Sequence, residues 1–138
     1  HIASTVAAKG ILPYAVVRLV QITAPDGTVI KRYVYDAHGN IIKEMDGEGY
    51  ASADTDENRI GTLYRYNAAG WLTEKREPVK QEGERVLYRL TRYRYDLVGN
   101  ITREIRYRDF QTADSAEGAV HTLSFAYDRD NRRIQVSD

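Results

Sequence analysis

The stretch YRYDLVGN (93–100) decides how this chain is interpreted, because closely similar stretches recur along it. The others read YVYDAHGN (33–40), YRYNAAGW (64–71) and FAYDRDNR (125–132). Each has an aromatic residue, any residue, a tyrosine (at 35, 66, 95 and 127), Asp or Asn, two variable residues, and Gly or Asn. Self-similarity at a nearly fixed spacing predicts a repeat architecture, in which one supersecondary unit is copied and stacked.

The motif has the residues of a β-hairpin turn. Asp96, at the first turn position, can accept hydrogen bonds from the turn backbone, and Gly99 can supply the positive φ of a type I turn followed by a one-residue bulge. Asn67 and Asn131, which replace Asp and Gly in other copies, suit the same positions. The residues to which we assign this structural role are Tyr33, Tyr35, Asp36, Gly39, Tyr64, Tyr66, Asn67, Gly70, Tyr93, Tyr95, Asp96, Gly99, Phe125, Tyr127, Asp128 and Asn131.

Pairing the first and fifth residues of each turn predicts an antiparallel register without interruption. In the third copy Tyr95 then faces Ile101 and Tyr93 faces Arg103. The other predicted pairs are Tyr35–Ile41, Val34–Ile42, Tyr33–Lys43, Arg32–Glu44, Tyr66–Leu72, Tyr64–Glu74, Arg92–Glu104 and Tyr127–Arg133. Such cross-strand pairs contribute about 0.2–1 kcal/mol each.

The rest of the chain is assigned around these hairpins. The β-branched run YAVVRLVQIT (14–23) and the following Pro-Asp-Gly predict a lead-in strand and turn. We expect a poorly ordered lead-in over 1–13 and one hairpin domain over 14–138. Its turns are predicted near 25–27, 36–39, 67–70, 96–99 and 128–131. The polar connectors 46–61, 76–85 and 108–120 are predicted to be surface loops, with a short helix at 112–120 as the alternative.

Composition favours a thin sheet. The chain of 138 residues has eleven tyrosines against two phenylalanines, and tyrosine suits half-buried strands because its ring packs while its hydroxyl stays wet. Twenty basic and twenty acidic residues cancel, so no net charge favours nucleic acid. The longest apolar stretch, 11–20, is too short to insert across a membrane. The lack of cysteine excludes disulfides and thiol chemistry.

No stretch of the sequence predicts a catalytic, cofactor-binding or metal-binding site. The three histidines, at 1, 38 and 121, stand beside no recognisable nucleophile motif. Asp54, Asp56 and Asn58 match the first ligand positions of a calcium loop, but Arg59 stands where that loop needs glycine. A solvated acidic loop at 46–58 is therefore the favoured interpretation, and a looser calcium site there stays an open alternative.

The repeated YxYDxxGN motif, followed by a strand in 33–44, 64–75 and 93–104, resembles the YD repeats of the Rhs family. That family includes bacterial Rhs polymorphic toxins, wall-associated proteins, insecticidal toxin complex B and C components, and teneurins. The resemblance covers about residues 28–138. It implies a hairpin ribbon that spirals into a hollow shell, often around a toxin polypeptide, and a secreted or cell-surface location.

The chain departs from that family in two respects. Four repeats are too few to close a shell, and no stretch like the DPxGR segment at the end of the family's core is present. We therefore expect a fragment of a longer protein, without a toxin domain of its own.

These observations lead to one fold and two functions. The fold is all-β, with repeated antiparallel hairpins forming a curved twisted sheet or an open spiral ribbon. The first function is a non-enzymatic scaffold that contributes hairpins to an extracellular or toxin-encapsulating shell. Its expected partners are neighbouring repeats, further copies paired through strand edges, or an enclosed polypeptide. The alternative is a module that binds carbohydrate or protein through tyrosine-rich strand faces.

Overall fold

The computed structural model describes residues 3–9 and 16–137, with side chains for 20–134 and 136. The chain divides into two compact units, residues 1–62 and 63–138, each treated by itself below. Within the described residues the elements are β1 (Ala3–Lys9), β2 (Val16–Thr23), β3 (Val29–Tyr35), β4 (Ile41–Asp46), α1 (Gly47–Ala51), β5 (Thr62–Tyr66), β6 (Leu72–Glu82), β7 (Arg85–Tyr95), β8 (Ile101–Tyr107), β9 (Val120–Tyr127) and β10 (Arg133–Ser137). The prediction of an all-β fold built from antiparallel hairpins is confirmed.

In the first unit, β1 to β4 pair antiparallel in chain order. Met45 on β4 is fully buried. At the end of β4, the Asp46 carboxylate accepts a hydrogen bond of 2.8 Å from the Gly49 backbone and so caps the short helix α1. The sequence predicts only a loop here, because five residues are too few to show a helical period.

The lead-in predicted to be poorly ordered contains a strand. Residues 3–9 form β1 and pair with β2, so this part of the prediction differs from the structure. The segment contains the β-branched residues Thr5 and Val6 and gains a partner in the β-branched β2, which local patterning alone does not reveal. Residues 1–2 and 10–13 of the predicted lead-in lie outside the described part of the chain.

In the second unit, β5 to β10 also pair antiparallel in chain order. Few of its apolar side chains are buried: among the described residues of this unit, only Leu90 and Tyr88, both on β7, are buried hydrophobics. The sheet is therefore thin, as the tyrosine-rich composition predicts.

The prediction of a loop at 76–85 is wrong. This segment forms the end of β6 and the start of β7, joined by a two-residue turn at Gly83–Glu84. The φ of Gly83 is +64°, which fits a type II′ turn with glycine at its first central position. Pro78 and the many charges mimic a loop, but Pro78 lies where the ladder is interrupted by a bulge, one of the few positions at which a strand accepts proline.

In three of the four hairpins, the predicted uninterrupted register is wrong after its first cross-strand residue pair. The pairs Tyr35–Ile41, Tyr66–Leu72, Tyr95–Ile101 and Tyr127–Arg133 are confirmed. In the first three hairpins one extra residue then interrupts the ladder, at Ile42, Thr73 and Thr102.

Each of these bulges moves every later partner by one position. The observed pairs that replace the predicted ones are Val34–Lys43, Tyr33–Glu44, Arg32–Met45, Tyr64–Lys75, Tyr93–Glu104 and Arg92–Ile105. The fourth hairpin has no such bulge, so its predicted register holds along β10. A tyrosine paired with a glutamate therefore replaces the predicted pairing with a cation in the first and third copies.

Candidate functional site

The four motif turns share one hydrogen-bond pattern. The side-chain Oδ1 of the first turn residue accepts from the backbone N–H groups two and four positions later. These acceptors are Asp36, Asn67, Asp96 and Asp128, with all eight distances between 2.9 and 3.0 Å. The backbone hydrogen bonds hold the pKa of each of the three aspartates below its ordinary value. The turn role that the sequence predicts for these four residues is therefore seen in the geometry.

The fourth turn position has positive φ in every copy. The φ values are +89° at Gly39, +85° at Gly70, +95° at Gly99 and +62° at Asn131. The lead-in turn follows the same backbone plan, because Gly27 has a φ of +89° and its N–H donates to the Ala24 carbonyl at 2.9 Å. Glycine, or asparagine in the last copy, is needed because other side chains rarely adopt this conformation.

In the third and fourth motifs the second tyrosine bonds to the preceding repeat. The hydroxyl of Tyr95 donates to the Leu72 carbonyl at 2.5 Å, and that of Tyr127 donates to the Ile101 carbonyl at 2.6 Å. Leu72 and Ile101 are equivalent, since each is the first strand residue after its motif turn. Both hydroxyls therefore serve contacts between successive repeats.

The turns themselves also touch from one repeat to the next. The Trp71 ring lies 5.3 Å from the Tyr95 ring, centroid to centroid, and directly against Gly99. One turn further on, the Asn100 side-chain amide donates to the side-chain oxygen of Asn131 at 2.6 Å. Aromatic packing and hydrogen bonds thus join the second motif turn to the third, and the third to the fourth.

The first aromatic residue of the motif has a more varied setting. Tyr33 lies 6.5 Å from Tyr35, ring to ring, and the Arg133 guanidinium lies 4.4 Å from the Phe125 centroid. Burial raises the pKa of Tyr93. In the first and fourth motifs, this aromatic residue therefore contacts a side chain of its own hairpin.

The second unit contains a buried ion cluster. Sequence reasoning did not predict this cluster. Glu74 is 6% exposed and receives hydrogen bonds from Arg76 at 2.8 Å and from Arg92 at 3.1 Å. Burial raises the pKa of Glu74, but the hydrogen bonds and charges of the surrounding arginines, led by Arg76, outweigh it, so the net pKa lies below its ordinary value. A strand of alternating charges gives no sign of which charges are buried.

Arg76 also holds the loop between β8 and β9. Its Nη1 donates to the carbonyls of Thr112 and Ser115, at 2.8 and 2.7 Å, and the residue is only 2% exposed. The segment predicted as a surface connector therefore folds back against β6. The alternative helix at 112–120 does not form.

Gln111 organises the same loop from within. It is 2% exposed, and its backbone exchanges hydrogen bonds of 2.7 and 2.8 Å with Tyr88 on β7. Its side-chain amide donates to the carbonyls of Asp109 and Glu117, while its side-chain oxygen accepts from Ser115 and from the Glu117 backbone. One buried glutamine thus ties both arms of the loop together, although its sequence context is that of an ordinary polar loop.

A groove of about 470 Å³ lies between the start of β7 and this loop. Its lining includes Arg85 on one side, Phe110 with 40% of its surface exposed, and the acidic residues Asp109 and Glu117. Neither carboxylate has a hydrogen-bond or ion-pair partner among the described residues. The groove thus combines an exposed ring, charges of both signs, and unpaired acceptors.

The acidic loop of the first unit is held by cations. Both oxygens of Asp56 accept hydrogen bonds of 2.7 Å from Arg32, and Oδ1 accepts another from Arg59 at 2.8 Å. These contacts, led by the Arg32 hydrogen bond, lower the pKa of Asp56 to about 2. Lys43 donates to the carbonyls of Asp56 and Glu57, and its own pKa is lowered by burial.

The contacts of Asp56 affect whether this loop can bind calcium, the alternative that the sequence leaves open. Asp56, the central carboxylate of that pattern, is occupied by two guanidinium groups, which compete with a cation for the same oxygens. Within the described part of the chain, no group of three or more His, Asp or Glu side chains is placed to hold a metal ion. Nor does any described helix have the length and apolar character needed to cross a bilayer.

Comparison with known proteins assigns no family. No protein-family model matches the chain, and no curated protein matches it.

Proposed function

We propose that the chain is a structural scaffold, a fragment of an Rhs/YD-repeat protein that contributes β-hairpins to an extracellular or toxin-encapsulating shell. The observation that carries this proposal is the repeated bond from a motif tyrosine to the preceding repeat, made by Tyr95 to Leu72 and by Tyr127 to Ile101. Because both tyrosines use the same acceptor position, each further repeat can dock on the preceding one through the same hydrogen bond.

The settings of the motif residues support a scaffold over catalysis. The turn aspartates have their Oδ1 atoms committed to backbone N–H groups, and the glycines supply backbone conformation. A general acid or base needs a group that is free to exchange a proton with substrate. The motif residues therefore stabilise the fold of the hairpins, and we propose no enzymatic role for them.

The coding sequence on either side of this segment tests the scaffold proposal. We expect further YxYDxxG copies at a spacing of about thirty residues, because the resemblance to the Rhs family implies a shell built from many more than four repeats. The purified full-length product should then appear as a hollow particle in electron microscopy. Flanking sequence without the motif, or a solid particle, would contradict the proposal.

A second candidate function is binding of a small neutral polar ligand, such as a saccharide, in the groove beside Phe110. The groove volume of about 470 Å³ falls within the usual range of ligand sites, roughly 300–1,000 Å³. Its charges are of both signs, so an uncharged ligand with adjacent hydroxyls suits the lining better than an ion does. The unpaired carboxylates of Asp109 and Glu117 would accept its hydrogen bonds.

This binding proposal differs from the sequence-based alternative, which uses tyrosine-rich strand faces, because the groove lining includes no tyrosine. A glycan array followed by nuclear magnetic resonance titration tests it, with chemical-shift changes expected at Phe110 and Glu117. Phe110→Ala should abolish binding. Val79→Ala is the matched control, because Val79 is 41% exposed but does not line the groove. Loss of binding in both variants, or in neither, would reject the groove as the site.

A further inference from the structure

The tip of the third motif turn is apolar. Its two central residues, Leu97 and Val98, are 100% and 75% exposed. Central turn residues are usually small or polar. The other motif turns follow this preference, with Ala37 and His38, Ala68 and Ala69, and Arg129 and Asp130 at the same positions. Two adjacent aliphatic side chains in water would gain free energy from burial against a partner, so this tip is a candidate contact for an apolar phase.

Two arginines without a counter-ion lie behind the tip. The bulge at Thr102 places Arg103 directly opposite Arg94. Both residues are exposed, and neither has a hydrogen-bond or ion-pair partner among the described residues. In the preceding hairpin the equivalent pair is Arg65 with Glu74, which form an ion pair of 3.5 Å. Like charges directly opposite each other are destabilising, so an anion between the two guanidinium groups would relieve this cost.

The chemistry of these side chains favours a phosphate and a membrane interface. Guanidinium groups donate parallel hydrogen bonds that match the oxygens of a phosphate group. The Trp71 ring packs against Gly99 of the same turn and against Tyr95. Tryptophan suits the boundary between water and lipid, because its ring is apolar and its N–H is polar. Since Arg94 and Tyr95 point to opposite faces of the strand, the arginines and the indole flank the tip on different sides.

The spacing of these groups matches the layers of a bilayer. Arg94 precedes Leu97 by three residues, which is about 10 Å along an extended strand. The headgroup region is about 5–8 Å thick on each side of the hydrocarbon core, and long arginine side chains can adjust their charged ends to that level. A stable protein interface buries about 1,200–2,000 Å², far more than two turn residues supply. The arrangement therefore fits a lipid surface better than a protein.

We propose that the third motif turn, residues 96–99, binds the surface of a bilayer that contains anionic phospholipid. Leu97 and Val98 enter the boundary of the acyl chains, and Arg94 and Arg103 bind lipid phosphate groups. The contact is peripheral, so it requires no membrane-spanning segment. It goes beyond the scaffold function and does not depend on it.

The test uses the full chain and vesicles of phosphatidylcholine with or without phosphatidylglycerol. Co-sedimentation measures binding, and the emission of Trp71, the only tryptophan, reports whether the tip is at the membrane. With anionic vesicles we expect co-sedimentation and a blue shift of the emission. Binding to phosphatidylcholine alone should be weaker, by about 5-fold for each arginine that contacts the anionic surface.

Substitution of the tip separates lipid binding from folding. Leu97→Ala combined with Val98→Ala reproduces the central residues of the second turn, Ala68 and Ala69, so the hairpin should keep its urea midpoint. We expect vesicle binding to weaken by about 10-fold or more, because most of the inserted apolar surface is lost. Val79→Ala is the matched control. Val79 is another apolar residue of the second unit, 41% exposed, and its substitution should leave vesicle binding unchanged.

Substitution of the arginines tests the phosphate contact. Arg94→Gln combined with Arg103→Gln should remove the preference for phosphatidylglycerol and leave the weaker binding to phosphatidylcholine. The urea midpoint should not fall, because the change removes two like charges that face each other. A retained preference for anionic vesicles would overturn the role of these arginines.

The proposal as a whole is overturned if anionic vesicles do not sediment the chain, or if the tip variant binds them as well as the original. An equal loss in Val79→Ala would also overturn it. Displacement from vesicles by millimolar inorganic phosphate would assign the arginines to a free anion instead of a lipid. Self-association without vesicles that the tip variant abolishes would assign the tip to a second copy of the chain.

Discussion

Trp71 packs directly against Gly99, although the two residues belong to consecutive repeats. A Cβ atom on residue 99 would lie 3.0 Å from Cζ2 of the indole. The third turn therefore needs glycine for two reasons, its φ of +95° and the ring that covers it. The equivalent Gly70 has a φ of +85°, but an added Cβ there would have nothing within 4 Å.

This difference predicts that Gly99→Ala destabilises the second unit more than Gly70→Ala does. Both changes force alanine into a left-handed conformation, at a cost of about 1–2 kcal/mol. Gly99→Ala must also displace the indole, which should add about 1 kcal/mol. Urea unfolding followed by tryptophan fluorescence measures both variants. Because Trp71 is the only tryptophan, its native emission should change in Gly99→Ala alone. Equal losses of stability would contradict the packing argument.

The tyrosine contact predicts a second pair of variants. Tyr95→Phe removes the hydroxyl and leaves the Leu72 carbonyl without its donor, so the free energy of unfolding should fall by about 1 kcal/mol. Tyr93→Phe is the matched control in the same motif, because the structure gives its hydroxyl no hydrogen-bond partner among the described residues. Its stability should change by less than about 0.5 kcal/mol. A larger loss for Tyr93→Phe than for Tyr95→Phe would remove the basis of the repeat-docking rule.

The turns could be predicted from sequence because their chemistry is local. Asp96 and Gly99 specify the turn through a side-chain acceptor and a positive φ, both of which lie within five residues. The bulge at Thr102 could not be predicted, because one extra residue in a β-branched run leaves the composition of the strand unchanged. Its consequence is nonetheless large, since a one-residue shift changes every later cross-strand partner.

The contacts across the sheet were beyond sequence reasoning for a different reason. Arg76 and Gln111 are polar residues in polar surroundings, and only the folding of the β8–β9 loop against β6 and β7 buries them. Burial of such groups depends on partners 36 residues apart in the chain, as between Arg76 and Thr112. No window of the sequence contains both.

The buried position of Arg76 predicts a strong and specific effect of its removal. Arg76→Ala leaves the Glu74 carboxylate with fewer partners in a buried setting and removes the donor to the loop carbonyls, so stability should fall by about 3–5 kcal/mol. Limited proteolysis should then cut the loop at 112–117 first. Arg106→Ala is the control. The Arg106 side chain is 56% exposed, so its salt bridge to Glu104 should contribute only about 0–1 kcal/mol. Similar effects in both variants would mean that Arg76 does not anchor the loop.

The Arg32–Asp56 pair predicts how the first unit responds to acid. The folded pKa of Asp56, about 2, lies below its ordinary value of 3.8, so the ionised carboxylate stabilises the fold. That stabilisation is fully present above about pH 4 and is lost as the pH falls through 2. A shift of this size corresponds to about 2 kcal/mol, and because the side chain is 31% exposed, solvent screening reduces it to about 1–2 kcal/mol.

Asp56→Asn isolates this contribution, because asparagine can still accept hydrogen bonds but has no charge to titrate. Urea unfolding of both proteins, followed by far-ultraviolet circular dichroism, should give a difference of about 1–2 kcal/mol at pH 7. The difference should shrink between pH 4 and pH 2, while the titration of all other carboxylates is common to both proteins and cancels. Asp54→Asn is the control for an exposed loop carboxylate outside the pair, and it should not reproduce the loss of stability at pH 7. A difference for Asp56→Asn that is unchanged at pH 2 would mean that the ion pair with Arg32 is not what stabilises the loop.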